Sequence, residues 1–413
     1  MVSVLMIGFF ALLSLVGIVS VVMLPQESPK IFIEFPKTYI DTDGKTLRFH
    51  VIGDFGELFP YEKFPVLPSK KVAQVMNEHA ESSPISMIVS VGDNFYPPKH
   101  SELFETIETV FEDVFDGPEI HKIPWFLVYG NHDLYHSRTF GKDLEKIYKN
   151  ILMPQGTWNM TVALQNFSVS FTFLSGDIVC HGPLNNHVLT RQCLKMKSSN
   201  NFTQEYSWLE NHLAYISDDN KIKWNIVVSH YPIFSVSTTG LDAENLKYYL
   251  LPLLGKYKVD LILTGHNHNM QHFFADYKNL FDFKMQDEDL KCLEESRIKC
   301  KDTVLICRNS SVRCENSNIS CKEKICIDDS KGKLDQPKVV YSKGEGLQQV
   351  VQGGGGADLD PMCPLMESPM ADYLFGLSEH GFTEITITEE QLIIKYILAN
   401  NSLVAFESTV NFN

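Results

Sequence analysis

Five short segments of the chain lead directly into residue types that bind metal ions in proteins. Each segment is an apolar run rich in β-branched residues, and each is followed by Asp, Asn, Tyr or His. The five turns are Gly53-Asp54-Phe55-Gly56, Gly92-Asp93-Asn94-Phe95-Tyr96, Gly130-Asn131-His132-Asp133, Ser229-His230-Tyr231 and Gly265-His266-Asn267-His268. A single Asp after a strand is usually a turn or helix cap. Five such turns together predict a metal centre built from carboxylate, imidazole, amide and phenol groups.

The segments around these turns alternate between strand and helix patterns. Buried strands are predicted over 47–52, 85–91, 125–129, 226–229 and 259–264, and helices over 69–81, 101–115, 142–151, 205–216 and 242–254. A strand over 347–352, a glycine turn over 353–356 and a hairpin over 382–388 and 391–398 follow later in the chain. The alternation predicts an α/β fold with mixed or parallel sheets. In such folds ligands gather at the carboxyl ends of the strands, where the five turns lie.

Residues 276–340 interrupt this alternation with a polar stretch that carries six of the nine cysteines. Those six are Cys292, Cys300, Cys307, Cys314, Cys321 and Cys326. The stretch has no Cys-x-x-Cys pair and no His, so a disulfide-stapled insertion is favoured over a zinc knuckle. Cys180 and Cys193 are spaced to pair across a loop, which leaves Cys363 as a free thiol or a further member of the cluster.

Charge and the N-terminal segment limit where the protein acts and what it binds. The net charge of −15 argues against a nucleic-acid partner, which would require a basic face, but not against a phosphomonoester held by cations. Residues 1–26 carry no charged side chain and are predicted to be a signal peptide or a membrane-spanning signal anchor. N-glycosylation sequons begin at Asn159, Asn166, Asn201, Asn309, Asn318 and Asn400. With the cysteines, they predict a secretory-pathway protein, lumenal, secreted or membrane-anchored with an extracytoplasmic domain.

The stretches SVGDNFY, FEDVF, KIPWFLVYGNHD and SHYPIFS resemble the purple acid phosphatases, in particular the small, mammalian-type, tartrate-resistant-like enzymes. These belong to the calcineurin-like metallophosphoesterases. The resemblance runs over residues 47–271, with a weaker echo at the C-terminal hairpin. It implies a metallophosphoesterase domain over 45–413 with a four-layer sandwich, in which two central mixed sheets are flanked by helices. The Cys-rich segment 276–340 would be an insertion within that domain.

A pair of differences points to the purple branch of the superfamily. Most metallophosphoesterases resemble one another in an Asp-x-His first motif, whereas this chain has Asp54-Phe55-Gly56 and lacks that His. Tyr96 is present where the purple enzymes have their replacement ligand. A phenolate is a hard anionic donor that suits Fe(III) better than Zn(II) or Mn(II). The Tyr would therefore replace the metal ligand that the missing His provides in other metallophosphoesterases.

The resemblance assigns a role to each of the eight candidate residues. Asp54, Tyr96 and His268 would hold a ferric ion, Asp93 would bridge two metals, and Asn131, His230 and His266 would hold a divalent ion, Fe, Zn or Mn. The resemblance implies direct attack of a metal-bound hydroxide on a phosphate monoester, the reaction of an acid phosphatase. His132 would stabilise the phosphoryl oxygens or assist the leaving group.

One departure from the family pattern supports an alternative function. Small purple phosphatases resemble one another in a second outer His nine residues after the His of SHYP, and this chain has Thr239 there. Thr cannot act as an acid near pH 5, so turnover would be weakened unless His100 or His136 substitutes. The alternative is a weakly active or inactive, membrane-anchored scaffold with an unknown protein partner. A phosphodiesterase or nucleotidase is disfavoured by Phe55 and Tyr96.

Overall fold

The computed structural model describes residues 18–22, 39–41, 44–57, 67–96, 107–136, 140–174, 202–237, 244–281, 305–308, 311–314, 338–362 and 370–412. The strands are β1 (Ile18–Val22), β2 (Tyr39–Asp41), β3 (Leu47–Ile52), β4 (Met87–Ser90), β5 (Trp125–Leu127), β6 (Ile151–Leu152), β7 (Trp158–Ala163), β8 (Ser168–Phe173), β9 (Ile222–Val228), β10 (Leu261–Thr264), β11 (Met270–Asp276), β12 (Leu305–Arg308), β13 (Ser311–Cys314), β14 (Lys338–Ser342), β15 (Gly346–Gln352), β16 (Asp372–Leu377), β17 (Gly381–Ile387), β18 (Gln391–Leu398) and β19 (Val404–Asn411). The helices are α1 (Pro68–Ser82), α2 (Pro118–His121), α3 (Phe140–Ile147), α4 (Phe202–Asp218), α5 (Glu244–Lys256) and α6 (Tyr277–Phe281), with a π-helical turn Glu108–Glu112 and a 3₁₀ turn Asp133–Tyr135.

Two large mixed sheets form the centre of the molecule. The first sheet has eight strands in the order β14-β19-β18-β17-β3-β4-β5-β6, and the second has nine in the order β16-β11-β15-β10-β9-β8-β7-β1-β2. Strands β3 to β6 run parallel in the first sheet, as do β8, β9, β10 and β15 in the second. The carboxyl ends of each parallel set meet at one edge of its sheet, where polar turns can converge.

Alternating side chains on the strands bury both faces of each sheet. In β3, Phe49 and Val51 pack between the sheets, in the same apolar cluster as Phe171 and Ile226 of the second sheet. The neighbouring Ile52 faces the other way and packs in a cluster with residues of α1. The outer face of the second sheet packs against α4 and α5 through a third cluster. A period of two along the strands therefore produces four layers, helix, sheet, sheet and helix, which confirms the predicted fold class.

Most predicted elements are present, with differences at their ends. Strand β3 has the predicted bounds, and the predicted hairpin is formed by the antiparallel pair β17 and β18. The helix predicted over 142–151 ends at Ile147, because the chain turns there and enters β6 at Ile151. Within the predicted helix over 101–115, the described part contains the π-helical turn. The strands β7 and β8 were not predicted, although the burial of β7 alternates along its whole length.

The insertion and the N-terminal segment are described only in part. Strands β12 and β13 pair as a separate two-stranded sheet inside 276–340, and β14 at its end joins the first sheet beside β19. Strand β1 lies within residues 1–26 and pairs with β2 and β7. The side chains of all nine cysteines, including Cys307 in β12 and Cys314 in β13, lie outside the described set, so the disulfide prediction stays a prediction. Among the described helices, none has the length and apolar character needed to cross a bilayer.

Candidate metal centre

The structure brings all eight candidate residues to one edge of the sandwich. Asp54 follows β3, Asp93 and Tyr96 follow β4, and Asn131 and His132 follow β5, all in the first sheet. His230 follows β9, and His266 and His268 follow β10, in the second sheet. The site therefore lies where the carboxyl ends of the two parallel strand sets face each other. Carboxylate, phenol and amide groups come from the first sheet, and three imidazoles come from the second.

Unusual backbone conformations aim three of these side chains. Asp54, Asp93 and His266 have φ values of 57°, 52° and 67°, in the left-handed region that residues other than glycine rarely adopt. Such strain persists where the surrounding structure enforces it, and it clusters at functional sites. Hydrogen bonds from the Asp54 amide to the Gly92 carbonyl (2.9 Å) and from the His266 amide to Asp54 Oδ2 (2.9 Å) tie the turns together.

Two glycines allow the turns to approach closely. Gly92 has a φ of 100°, and a Cβ at this position would lie 2.6 Å from Nδ1 of His230. A Cβ at Gly130 would lie 2.1 Å from Oδ1 of Asp93. Both distances are shorter than carbon atoms tolerate, so a side chain at either position would push ligand turns apart. These glycines are therefore required for close packing, while three of the candidate ligands themselves adopt the left-handed backbone conformation.

One group of donors contains Asp54, Tyr96 and His268. The Tyr96 hydroxyl lies 3.2 Å from Nε2 of His268, and that nitrogen lies 3.5 Å from Oδ1 of Asp54. Nδ1 of His268 donates a hydrogen bond to the Asp358 carbonyl at 2.7 Å, which turns Nε2 toward the site. Asp54 Oδ1 is fully buried and has no hydrogen-bond partner in the described part of the chain. A buried carboxylate oxygen without a donor is costly unless a cation binds it.

The second group contains Asp93, Asn131, His230 and His266. One ligand atom from each of Asp93, His230 and His266 lies within 4.8 Å of the other two. Nε2 of His230 lies 3.0 Å from the Asn131 amide oxygen and 3.4 Å from Oδ2 of Asp93. Its Nδ1 donates to the Val91 carbonyl at 2.8 Å, so Nε2 again faces the site.

His132 lies beside both groups, and its side chain is partly exposed. Its ring stacks on Tyr96 with centroids 3.9 Å apart, and its Nε2 lies 3.8 Å from Oδ2 of Asp93. About a third of its side chain, 32%, is exposed, whereas the Asp93 side chain is only 1% exposed. Burial lowers the pKa of His132 below its ordinary value.

The pKa values of three buried groups in the site are raised, which indicates that the site lacks positive charge to balance its acidic groups. Burial raises the pKa of Asp54 to about 7, and burial together with Asp93 and Asp54 raises the pKa of Tyr96 well above 10. For His230, burial alone would lower the pKa, but the effect of the Asp93 carboxylate is larger than that of burial and raises the pKa to about 9. Bound cations favour deprotonated carboxylates and phenols, and they replace the proton on an imidazole nitrogen. The donor set therefore fits cations in both groups.

Comparison with known proteins identifies the family. The calcineurin-like phosphoesterase pattern matches residues 47–270, more than half of the chain. The chain belongs to the calcineurin-like phosphoesterases. Within that family it is 30% identical over 231 residues to tartrate-resistant acid phosphatase type 5 of Mus musculus, covering 55% of this chain and 68% of the relative. It is 28% identical over 243 residues to purple acid phosphatase 3 of Arabidopsis thaliana, covering 58% of this chain and 62% of the relative.

Solved structures show the same fold at lower identity. GAP50, described as the anchor in the inner membrane complex of Plasmodium, superposes with a TM-score of 0.56 at 17% identity, covering 89% of this chain and 90% of that one. The purple acid phosphatase PPD1 from yellow lupin seeds superposes with a TM-score of 0.54 at 16% identity, covering 89% of this chain and 54% of that one. The predicted family, its fold and its hydrolase class are thus confirmed.

Several functional contacts of this phosphoesterase could not be assigned from its sequence. Asp133 was noted as part of the Gly130-Asn131-His132-Asp133 turn but was given no role, and its carboxylate joins two ligand turns. Asp358 and Asp360 follow the glycine turn and hold His268: Asp360 Oδ2 accepts the His268 amide at 3.0 Å. An acidic Asp-Leu-Asp run after a strand was the available signal. His136 donates from Nε2 to the Phe95 carbonyl (2.9 Å) rather than facing the site, while His100 and Thr239 lie outside the described residues.

Proposed function

We propose that the protein is an acid phosphatase that hydrolyses phosphate monoesters with a dinuclear Fe(III)–M(II) centre, M being Fe, Zn or Mn. The observation that carries the proposal is the convergence of the Tyr96 hydroxyl, His268 Nε2 and the buried Asp54 Oδ1, which accepts no hydrogen bond from the described residues. A phenol among these donors favours a ferric ion over zinc or manganese. The acid phosphatase activity of the curated relatives supports the same reaction class.

In this proposal the two donor groups divide the ions between them. Asp54, Tyr96 and His268 hold the ferric ion, and Asn131, His230 and His266 hold the divalent ion, with Asp93 shared. When bound, the pair of ions supplies a hydroxide nucleophile and neutralises charge on the phosphoryl oxygens. His132, beside Asp93 and partly exposed, donates a proton or hydrogen bond to the phosphate or to the leaving oxygen.

Its test combines the visible spectrum, metal content and p-nitrophenyl phosphate hydrolysis from about pH 4 to 8. Tyr96→Phe should abolish the visible band of an iron-bound phenolate, and His230→Ala should abolish acid turnover. Tyr206→Phe is the matched control, because the Tyr206 hydroxyl donates to the Tyr249 carbonyl, away from the site. A wild-type protein with neither iron nor colour would refute the ferric assignment.

The scaffold alternative predicts a different combination of results. Metal and colour without turnover in the wild-type protein would favour a phosphatase-shaped scaffold with an unidentified protein partner. GAP50, described as the anchor in the inner membrane complex of Plasmodium, has the same fold, which supports this alternative. Thr239→His would then be the next variant, since restored turnover would identify position 239 as the cause.

We infer that the protein acts in the secretory pathway, lumenal, secreted or membrane-anchored. The sequons at Asn166 and Asn400 support this, because both side chains are exposed in turns between strands. Expression in a eukaryotic cell and treatment with an endoglycosidase tests it. A mobility shift that decreases stepwise in Asn166→Gln and Asn400→Gln is expected, and a protein with no glycan would contradict it.

A further inference from the structure

One buried carboxylate, that of Asp133, joins the two ligand turns of the first sheet. Its Oδ1 accepts hydrogen bonds from the main-chain amides of Phe95 (2.8 Å) and Asn94 (3.0 Å). Its Oδ2 accepts from the main-chain amide of Gly130 (2.8 Å) and from the side-chain amide of Asn94 (2.9 Å). Asp133 is only 1% exposed, so these N–H groups replace water as its hydrogen-bond donors.

The donors lie next to the proposed metal ligands. Asn94 and Phe95 separate Asp93 from Tyr96, and Gly130 immediately precedes Asn131. We propose that Asp133 is a positioning residue that fixes the spacing of these two turns and thereby the geometry of both ions. The inference rests on the proposed dinuclear function and adds to it a residue that touches neither metal nor substrate.

The contacts of Asp133 differ from those of an ordinary cap. A capping Asp accepts amide protons from the first turn of its own helix. Asp133 begins the 3₁₀ turn, yet its carboxylate accepts from Asn94 and Phe95, 39 and 38 residues earlier, and from Gly130, which precedes the turn. Its role in the described structure is therefore to connect separate segments.

The network around Asp133 is specific for a carboxylate. The Asn94 amide also donates to the Val128 carbonyl (2.9 Å) and accepts from the Ser90 hydroxyl, which fixes its orientation. Among the described residues, every group that is hydrogen-bonded to the Asp133 oxygens is an N–H donor. An ionised carboxylate accepts at both oxygens, whereas the amide of Asn would present an NH₂ group to one set of donors. Asp133→Asn keeps the shape of the side chain but leaves N–H groups of one turn without an acceptor.

The experiment compares Asp133→Asn with Asp260→Asn in the full-length protein. Asp260 is also a buried carboxylate, accepting from the Asn225 amide (2.8 Å) and from Lys343, but it precedes β10, at the edge opposite the site. Iron and zinc retention is measured by dialysis against a chelator, with the visible band recorded in parallel. Asp133→Asn should weaken retention of both ions by about 10–100-fold, as loss of an outer contact typically does. Asp260→Asn should lower thermal stability yet keep wild-type retention and colour.

Hydrogen exchange of the metal-free protein separates this inference from the function on which it rests. Peptides covering 92–96 and 128–132 should exchange faster in Asp133→Asn and unchanged in Asp260→Asn. A wild-type protein that holds no ions would refute the proposed function, while the exchange result would still decide the positioning role. If Asp133→Asn does not fold, Asn94→Ala, which removes one donor to Asp133 together with the contacts to Val128 and Ser90, should weaken retention about tenfold. Wild-type retention and exchange in a folded Asp133→Asn would overturn the inference.

Discussion

Adding one methyl group at Gly130 should disable the metal centre while leaving the fold intact. Gly130 lies at the end of the segment that follows β5, directly before Asn131. A Cβ built on its backbone would lie 2.1 Å from Oδ1 and 2.2 Å from the main-chain nitrogen of Asp93. Carbon and oxygen atoms that are not bonded are normally separated by about 3.3 Å or more. Gly130→Ala therefore requires the turns carrying Asp93 and Asn131 to separate by about 1 Å.

The size of the effect follows from that displacement. A misplacement of about 1 Å in a reacting constellation costs on the order of 100-fold in rate, because ligands and substrate no longer align. We expect kcat/KM for p-nitrophenyl phosphate to fall about 100-fold in Gly130→Ala, with partial loss of metal. The rate should not recover at saturating substrate, since the change affects the reacting atoms rather than substrate binding alone.

A matched substitution elsewhere controls for the methyl group itself. Gly255 lies within α5, where an added Cβ would meet Leu280 alone among the described residues, at 3.4 Å, an ordinary contact. Gly255→Ala should keep full activity and raise helix stability by about 0.5–1 kcal/mol. Turnover and metal content equal to wild type in Gly130→Ala would refute the claim that close approach at Gly130 sets the ligand geometry.

Two further predictions concern acid stability and the ferric half of the site. Burial lowers the pKa of His212 to about 4, so its neutral form stabilises the fold fully above about pH 6.5 and progressively less as the pH falls toward 4. Between about pH 7 and 4.5, the unfolding free energy of the wild type should fall by about 2 kcal/mol more than that of His212→Gln. Urea titration of both proteins at the two pH values measures this difference, and equal losses would contradict the prediction. Asp360→Ala removes the acceptor of the His268 amide. A chelator should then remove the ferric ion, and with it the visible band, about tenfold faster than in the wild type, while the divalent metal is retained. Parallel loss of both metals would argue against separate donor groups.

The convergence of the candidate ligands at one edge could be predicted because the sequence signals for their turns are local. Each ligand turn follows a short apolar strand, and strands of this kind are recognisable from a few residues, as the coincidence of β3 with its predicted bounds shows. The parallel arrangement then places the turns together without further information. The unusual first motif, with Phe55 and Gly56 after Asp54, was interpreted through the resemblance to the purple acid phosphatases, which implies that Tyr96 supplies the missing donor.

Contacts between distant segments were not predictable in the same way. The pairing of β17 with β3 joins segments more than 300 residues apart, which no local pattern encodes. The hydrogen bonds of Asp133 and Asp360 likewise join segments far apart in the chain. The left-handed conformations of Asp54, Asp93 and His266 were not predicted, because local propensity cannot reveal strain that the surrounding packing imposes.

The division of ligands between two sheets makes their relative alignment a condition for metal binding. Each proposed ion takes donors from both sheets, so sliding one sheet along the other would separate Asp54 and Tyr96 from His268, and Asp93 from His230. Apolar packing between the sheets is not directional and resists such sliding weakly. Buried hydrogen bonds across the interface are directional. The Tyr396 hydroxyl of β18 donates to the Gln271 carbonyl of β11 (2.6 Å), and the Thr383 hydroxyl of β17 donates to the Gln352 side chain of β15 (2.8 Å).

These cross-sheet hydrogen bonds explain why polar residues are retained in an otherwise apolar interior. Tyr396, Thr383 and Gln352 are all fully buried, and an apolar residue at any of them would pack without specifying register. Gln352 also donates from its amide to the Gly381 carbonyl (2.8 Å), so a single side chain holds β15 against the start of β17. Since β15 leads into the loop that holds His268, and β17 pairs with the strand that leads to Asp54, this contact links the two sides of the ferric group through the core. The alignment of the sheets and the geometry of the site are thus set by the same buried polar groups.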